Sequence, residues 1–278
     1  MKLPTITPKQ QEILRLLYRY RFLERKQIQA FLGHKDKRQT ARWLKELREQ
    51  QFIDWFYDPN NPDEQSKPAI YFLGLNGIRF LRNESHPEAE LRKRYKDSGR
   101  QPDFIVRCLL LADCGLHLEV INGGSARVVY EYRLETDYTD PDNDYSFLGG
   151  NEYIHPQLVF TKEEGTNGSP ALTTYLVELF GMTTPRYMVK KKVKGYVEYL
   201  ASDEWGEAQQ ENSRLPDELP TILIACPTLA EMIYAKRYAK RQLDDMWDDK
   251  VPEDVKIRVS TIANIKTKGL TGVIWEDV

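Results

Sequence analysis

Asp36-Lys37-Arg38-Gln39-Thr40-Ala41-Arg42-Trp43-Leu44-Lys45-Glu46-Leu47 is followed by two β-prone runs, Phe52-Ile53-Asp54-Trp55-Phe56-Tyr57 and Ala69-Ile70-Tyr71-Phe72-Leu73. In the first stretch Thr40, Trp43, Leu44 and Leu47 recur at i, i+3, i+4 and i+7, which places them on one face of a helix opening near Asp36. Arg38, Arg42 and Lys45 fall on the other side. The two later runs bracket a turn-rich loop, Asp58 to Pro68, and read as a hairpin.

Two helices precede this unit. Thr7 N-caps the first, with Pro8 at its opening position and Gln10 placed to close a capping box. Ile13, Leu14 and Leu17 form its apolar stripe. A second, shorter helix starts near Glu24, turns Ile28, Phe31 and Leu32 inward, and stops at Gly33. Helix, helix, basic helix, hairpin is the order of a winged helix-turn-helix, and Leu75 to Leu81 reads as a helix closing the module. A guanidinium can pair bidentately with guanine or with a phosphate, so the third helix is equipped for the major groove of duplex DNA. The candidate DNA-binding residues are Lys37, Arg38, Gln39, Arg42 and Lys45, with Lys67 in the loop. Asp58, Asp63 and Glu64 share that loop with Lys67, so a strong grip on phosphate by the wing tip is not expected.

Charge is distributed unevenly. The net charge of −2 over 278 residues conceals a basic start, with 21 Lys and Arg against 13 Asp and Glu in the first hundred residues, and an acidic remainder, with 19 against 29. That asymmetry is what a nucleic-acid-binding module joined to a different domain produces. With 41% hydrophobic residues and 31 aromatics the chain can build real cores, which excludes a wholly disordered or fibrous protein. No apolar run reaches the ~18–20 residues that cross a bilayer, so no membrane span is expected. The start, MKLPTITPKQQ, lacks the apolar stretch of a secretory signal, and three cysteines (Cys108, Cys114, Cys226) suit a reducing compartment. The expected location is cytoplasmic.

Asn83 to Arg100 is nearly all polar, with Arg92-Lys93-Arg94 at its centre, and reads as a solvated linker, the alternative being an exposed helix whose basic cluster adds phosphate contacts. The expected division is therefore 1–82 winged helix-turn-helix, 83–100 linker, and 101–278 a second domain. In that last part, Pro102 to Leu116 reads as a helix. Strands are predicted at Arg127 to Leu134, Gln157 to Phe160 and Thr174 to Phe180. A basic helix follows from Arg186 to Leu200. Next come an apolar strand, Thr221 to Cys226, a helix from Pro227-Thr228, and a strand at Val255 to Val259. The fold class expected is α+β, with a mixed sheet covered by helices in the second domain.

Pro156-Gln157-Leu158-Val159-Phe160, Tyr175-Leu176-Val177-Glu178, the helix carrying Lys192 and Tyr196, Pro220-Thr221-Ile222-Leu223-Ile224, and Gly269-Leu270-Thr271-Gly272-Val273-Ile274-Trp275 occur in that order. In this the chain resembles the replication-relaxation proteins of bacterial plasmids and other mobile elements. The resemblance implies an N-terminal winged helix and a C-terminal domain related to the restriction-endonuclease fold. It also implies a regulator of plasmid or mobile-element replication or transcription, with a replication or conjugation protein as an additional partner.

A working nuclease of that type needs an Asp after the Pro, then an acidic residue, a spacer, and a Lys or second acid, to hold a divalent cation and activate water. Here Gln157 and Phe180 stand at two of those positions, and only Glu178 is in place. A catalytically silent domain used for self-association is therefore expected, with duplex DNA bound by a homodimer. The alternative is a metal-dependent endonuclease with a rearranged site, in which Glu131 supplies a second carboxylate and Lys192 the lysine. His34, His86, His117 and His155 show no ligand spacing, and neither GxxxxGK[ST] nor GxGxxG occurs, so no metal or cofactor is expected. Asp244-Asp245 and Asp248-Asp249 read as a solvated acidic face, and Gly123-Gly124 and Gly149-Gly150 as turns.

Overall fold

The computed structural model describes residues 3–58, 60–61, 67–124, 128–135, 154–164, 171–202, 204–211, 215, 218–246 and 255–278. Contacts divide the chain into two compact units, Met1–Leu116 and His117–Val278.

In the first unit α1 (Pro8–Tyr20) starts on the expected capping box: the Gln10 amide donates to Thr7 Oγ1 at 3.4 Å, and the Thr7 amide donates to Gln10 Oε1 at 2.9 Å. Ile13, Leu14 and Leu17 are fully buried. A two-residue strand, β1 (Leu23–Glu24), leads into α2 (Arg25–Phe31), and Gly33 supplies the left-handed φ of +59° beyond it. Asp36 caps α3 (Lys37–Glu49) by accepting from the Arg38 amide at 2.8 Å.

The hairpin β2 (Ile53–Phe56) and β3 (Ile70–Leu73) forms with Trp55 opposite Tyr71. β1 pairs with β3, so the sheet order is β1-β3-β2, all antiparallel. Strand β1 was not legible because two residues carry no alternation. Helix α4 (Leu75–Asn83) closes the module at Gly77, where a Cβ would overlap the Phe52 carbonyl. The three helices and the hairpin follow in the order expected from the sequence, with β1 inserted between the first two helices.

Residues 83–100 do not form a solvated linker. They contain α5 (Glu88–Arg94) and a 3-10 turn (Asp97–Gly99), and both bury charge. Arg94, 2% exposed, donates to the Tyr18 carbonyl through Nη2 at 2.9 Å and Nε at 3.3 Å. Asp97 is fully buried and accepts from the Arg21 guanidinium. The guanidiniums of Arg21 and Arg100 lie 4.6 and 5.1 Å from the centre of the Phe104 ring. Polar composition misled because these side chains bond to protein rather than to water.

Helix α6 (Pro102–Gly124) continues the same unit as far as Leu116: Gln27 donates to the Leu109 carbonyl at 2.9 Å and to Asp113 Oδ1 at 2.7 Å. The first unit is therefore longer than the expected 1–82.

The second unit is a six-stranded mixed sheet in the order β4-β5-β6-β7-β8-β9. β4 (Val128–Leu134), β5 (Leu158–Glu164) and β6 (Ala171–Leu179) form an antiparallel meander. α7 (Arg186–Ala201) and α8 (Glu204–Glu211) then lead to β7 (Thr221–Cys226), parallel to β6 and buried at every residue. α9 (Leu229–Met246) leads to β8 (Ile257–Thr261), again parallel, and α10 (Ile262–Lys268) precedes the short edge strand β9 (Glu276–Asp277).

Val159, Leu176, Ile222, Ile224, Ile257 and Val259 project from one face into the main core with Val193, Tyr196 and Val197 of α7 and Ala235 and Ala239 of α9. Among the described residues no helix is long and apolar enough to cross a membrane. Asp248 and Asp249, Gly149 and Gly150 lie outside the described residues.

Asp97→Ala is expected to lower unfolding stability by about 3–5 kcal/mol, because it strands buried guanidinium charge. Arg15→Ala, which breaks the exposed pair with Glu84, should change stability by no more than about 1 kcal/mol. Urea denaturation of both variants checks the contrast, and equal effects would show that the Asp97 cluster is not a buried ionic anchor.

Candidate functional site

Two groups of residues carry chemistry, one in each unit. On α3 the burial of Thr40, Leu44 and Leu47 fixes the helix rotation. Lys37, Arg38, Arg42 and Lys45 are consequently exposed, and Gln39 is half-buried. Arg42 Nε lies 3.1 Å from Glu46 Oε1, and Lys45 Nζ 3.7 Å from Glu49 Oε1. Glu46 is itself held by Gln10, whose Nε2 donates to Oε2 at 2.8 Å.

The sequence reading missed this acidic row, although its i, i+4 spacing was there to be read. Arg48 places its guanidinium 3.8 Å from the centre of the Trp55 ring, fastening the end of α3 to β2. Lys67 is exposed at the start of the returning arm of the hairpin, and residues 62–66 before it lie outside the described residues.

In the second unit Glu178 lies on β6 opposite Ile224 of β7, only 2% exposed, and projects into the main core. Its Oε2 accepts from Lys192 Nζ at 3.1 Å and from the Tyr196 hydroxyl at 2.9 Å. Lys192 and Tyr196 sit one turn apart on α7, so a single helix face supplies both donors. Lys192 also donates to the His155 carbonyl at 3.0 Å. Partial desolvation, then the neighbouring Lys192 ammonium, pushes the His155 imidazole below its ordinary range, with Glu135 opposing.

Gln157 takes no part in a charge cluster. Its Oε1 accepts from the Leu179 amide at 3.1 Å and its own amide donates to Val177 at 3.0 Å, so it continues the β5–β6 ladder. Phe180 is 4% exposed in the core.

Glu131 does not join Glu178. It pairs with Thr161, which pairs with Thr174 of β6, four residues from Glu178. Four rows at ~3.4 Å and two strand spacings at ~4.8 Å put the two Cα atoms roughly 16 Å apart. Glu131 is exposed, too far to share a cation with Glu178. The acid that the register brings to this end of the sheet is Glu135, whose amide donates to the Gln157 carbonyl at 3.4 Å. It went unnoticed because strand pairing decides it.

Among the described residues no group of three His, Cys, Asp or Glu could hold a metal ion. Burial pushes the thiols of Cys108, Cys114 and Cys226 up to about 12, so none is a thiolate nucleophile at neutral pH.

Lys192→Ala should destabilise the second unit by about 2–3 kcal/mol, somewhat less than a fully enclosed pair because the lysine side chain stays 24% exposed. Tyr196→Phe should cost about 1–2 kcal/mol through its lost hydrogen bond to a charged acceptor. Thermal unfolding of both variants tests this, and a neutral Lys192→Ala would show that Glu178 does not depend on the pair.

No curated protein matches the chain. Among solved structures, the restriction endonuclease FokI bound to DNA aligns at 12% identity over 94% of this chain and 44% of its own, with a TM-score of 0.32. A structure of the restriction endonuclease FokI aligns at 12% identity over 94% of this chain and 43% of its own, also at 0.32. The chain thus spans less than half the length of FokI, and superpositions this loose place no site. The replication-relaxation family matches residues 14–215, and a match over most of the sequence, spanning both the helical module and the sheet through α7, makes this chain a member of the replication-relaxation family.

Proposed function

We propose that the protein is a sequence-specific DNA-binding regulator of plasmid or mobile-element replication or transcription. It acts in the cytoplasm, and its second domain is catalytically silent and serves association. The observation that carries this reading is α3: a rigid helix, capped by Asp36 and fixed by Thr40, Leu44 and Leu47, that turns Lys37, Arg38, Arg42 and Lys45 to solvent. Lys37 and Arg38 occupy the first turn, the part of a recognition helix that meets base edges. Arg42 and Lys45 follow one and two turns on, and their surface pairs with Glu46 and Glu49 are weak enough to exchange for phosphates. A homodimer would read two half-sites about 34–36 Å apart, or a multiple of that. A replication or conjugation protein is a further partner for the second domain.

The silent reading rests on Glu178. Its carboxylate is enclosed by Lys192 and Tyr196, Gln157 serves the strand ladder, and Phe180 fills the core. One observation favours the rival reading of a rearranged nuclease: Lys192 reaches the Glu178 carboxylate from α7, as a relocated catalytic lysine would.

Duplex binding should weaken with salt, log K falling against log[salt] with a slope of roughly −4 to −5 if four to six phosphates are neutralised. Arg42→Ala should weaken binding by on the order of 1–3 kcal/mol and relax sequence preference, with a smaller effect of Lys67→Ala. Mobility-shift titration against DNA from the protein's own locus measures both. A flat salt response, or a larger effect at Lys67, would remove α3 from the interface.

Supercoiled plasmid incubated with the protein and Mg²⁺ or Mn²⁺ should stay intact. Cleavage that disappears in Glu178→Ala would establish the nuclease instead. With no cleavage, Glu178→Ala should leave DNA binding unchanged wherever the variant remains folded.

A further inference from the structure

The sheet face turned away from α7 and α9 contains a built cavity that the DNA-binding reading does not use. Register places Tyr130 of β4, Phe160 and Lys162 of β5, Tyr175 of β6, Leu223 of β7 and Arg258 of β8 on this one face. Together with Leu270, Thr271, Gly272 and Trp275 they line an open-mouthed cavity of about 140 Å³. A volume of ~150 Å³ is large enough to hold one benzene-sized ring.

The floor is aromatic. Phe160 and Tyr175 lie stacked, with centroids 4.6 Å apart and planes at 16°, and Tyr130 meets Phe160 at 5.9 Å and 61°. The roof is pinned at several points. Trp275 Nε1 donates to the Leu270 carbonyl at 2.8 Å and Ser260 Oγ to the Ile274 carbonyl at 2.7 Å. Thr271 Oγ1 lies 3.0 Å from His117 Nε2, and a Cβ on Gly269 would collide with that imidazole ring.

Two cations flank the cavity. Lys162 and Arg258 stand on either side of Tyr175, and both fields act on its hydroxyl, opposing the desolvation that raises its pKa. Each is answered by a rim carboxylate: Lys162 by Glu164 at 2.7 Å, and Arg258 by Asp277 at 2.7 Å. Those acids are solvated, with side chains 57% and 75% exposed, so the pairs are of the weak surface kind. Arg258 keeps further N–H donors beyond the Nε used on Asp277.

We propose that this cavity binds a small single-ring planar anion, the ring lying against Phe160, Tyr175 and Trp275 and the acid group taken by Arg258 and Lys162. The proposal does not depend on DNA binding or on the state of Glu178. The ring is selected by apolar contact with the aromatic side chains that line the cavity. The charge is selected by a guanidinium and an ammonium whose present partners are exchangeable.

Calorimetric titration of the full chain tests the proposal. Benzoate and phenyl phosphate are the probes, acetate is the charge-only control, and benzyl alcohol is the ring-only control. Both probes should bind with a Kd of about 1 mM or tighter, and each control at least about tenfold more weakly, since each lacks one of the two recognition elements. Arg258→Gln and Lys162→Gln should each weaken benzoate about tenfold. Asp277→Asn should strengthen it by about threefold, because a competing carboxylate is gone, while leaving benzyl alcohol unaffected.

Unchanged melting temperatures establish that the variants are folded. If a Gln variant melts early, Asp277→Asn decides the matter, since that exposed residue sits at the edge of the sheet. Absence of binding, equal binding of probe and control, or indifference to Arg258→Gln and Asp277→Asn in folded protein would overturn the proposal. So would an oligothymidylate that binds through Arg258 while neither ring acid does, which would make this face a strand-binding surface.

Discussion

A buried charge has to be matched within the protein, and the architecture of the second unit follows from one such charge. Glu178 enters the core from β6 beside the aliphatic Leu176 of its own strand and Ile224 of β7. Desolvating a carboxylate without a partner costs several kcal/mol, more than one side chain's packing returns. Lys192 and Tyr196 meet that demand from consecutive turns of α7. The rotation of α7 is thereby set together with its apolar stripe, Val189, Val193, Val197 and Leu200. Lys192 also reaches the His155 carbonyl, which ties the chain entering β5 to the same helix. The pair couples strand, helix and loop, and its removal at either end leaves the other end unsatisfied.

On the silent reading proposed above, such a pair would hold the glutamate in place for packing alone. Replacing the whole pair by apolar groups can be neutral, but removing one partner is strongly destabilising, so single changes do not lead away from it. Gln157 is consistent with that reading. A side-chain oxygen is needed there to receive the Leu179 amide, and a neutral amide supplies it without a second negative charge near Glu178.

The same constraint decided which parts of the fold were legible. Periodicity located α1, α3, the hairpin, the three strands of the meander, α7 and β7, because each buries an apolar stripe or an apolar run in the usual way. It failed over 83–100, where Arg94 and Asp97 are buried by pairing with the Tyr18 carbonyl and with Arg21. The charged residues there look solvated one at a time and are core residues together. Glu131 failed for a related reason. Its distance from Glu178 is a matter of register across three strands, and register is set by pairing that no local pattern encodes. The Lys192–Tyr196 spacing was readable as one helix face, but its target was not.

The ion pairs divide into two physical kinds, and that division maps onto what each unit can do. In Asp97 with Arg21 and Glu178 with Lys192 the carboxylate is buried, so its geometry is fixed by packing. Arg42 with Glu46, Lys45 with Glu49, Lys162 with Glu164 and Arg258 with Asp277 are solvated. Their Coulomb gain is small in water, so an incoming anion can compete with them. Recognition of anions by this chain should therefore be sought where cations stand on regular secondary structure but pair only with solvated surface acids. The outer face of α3 and the aromatic face of the sheet meet that condition. At Glu178 the buried acid is instead held inside the core.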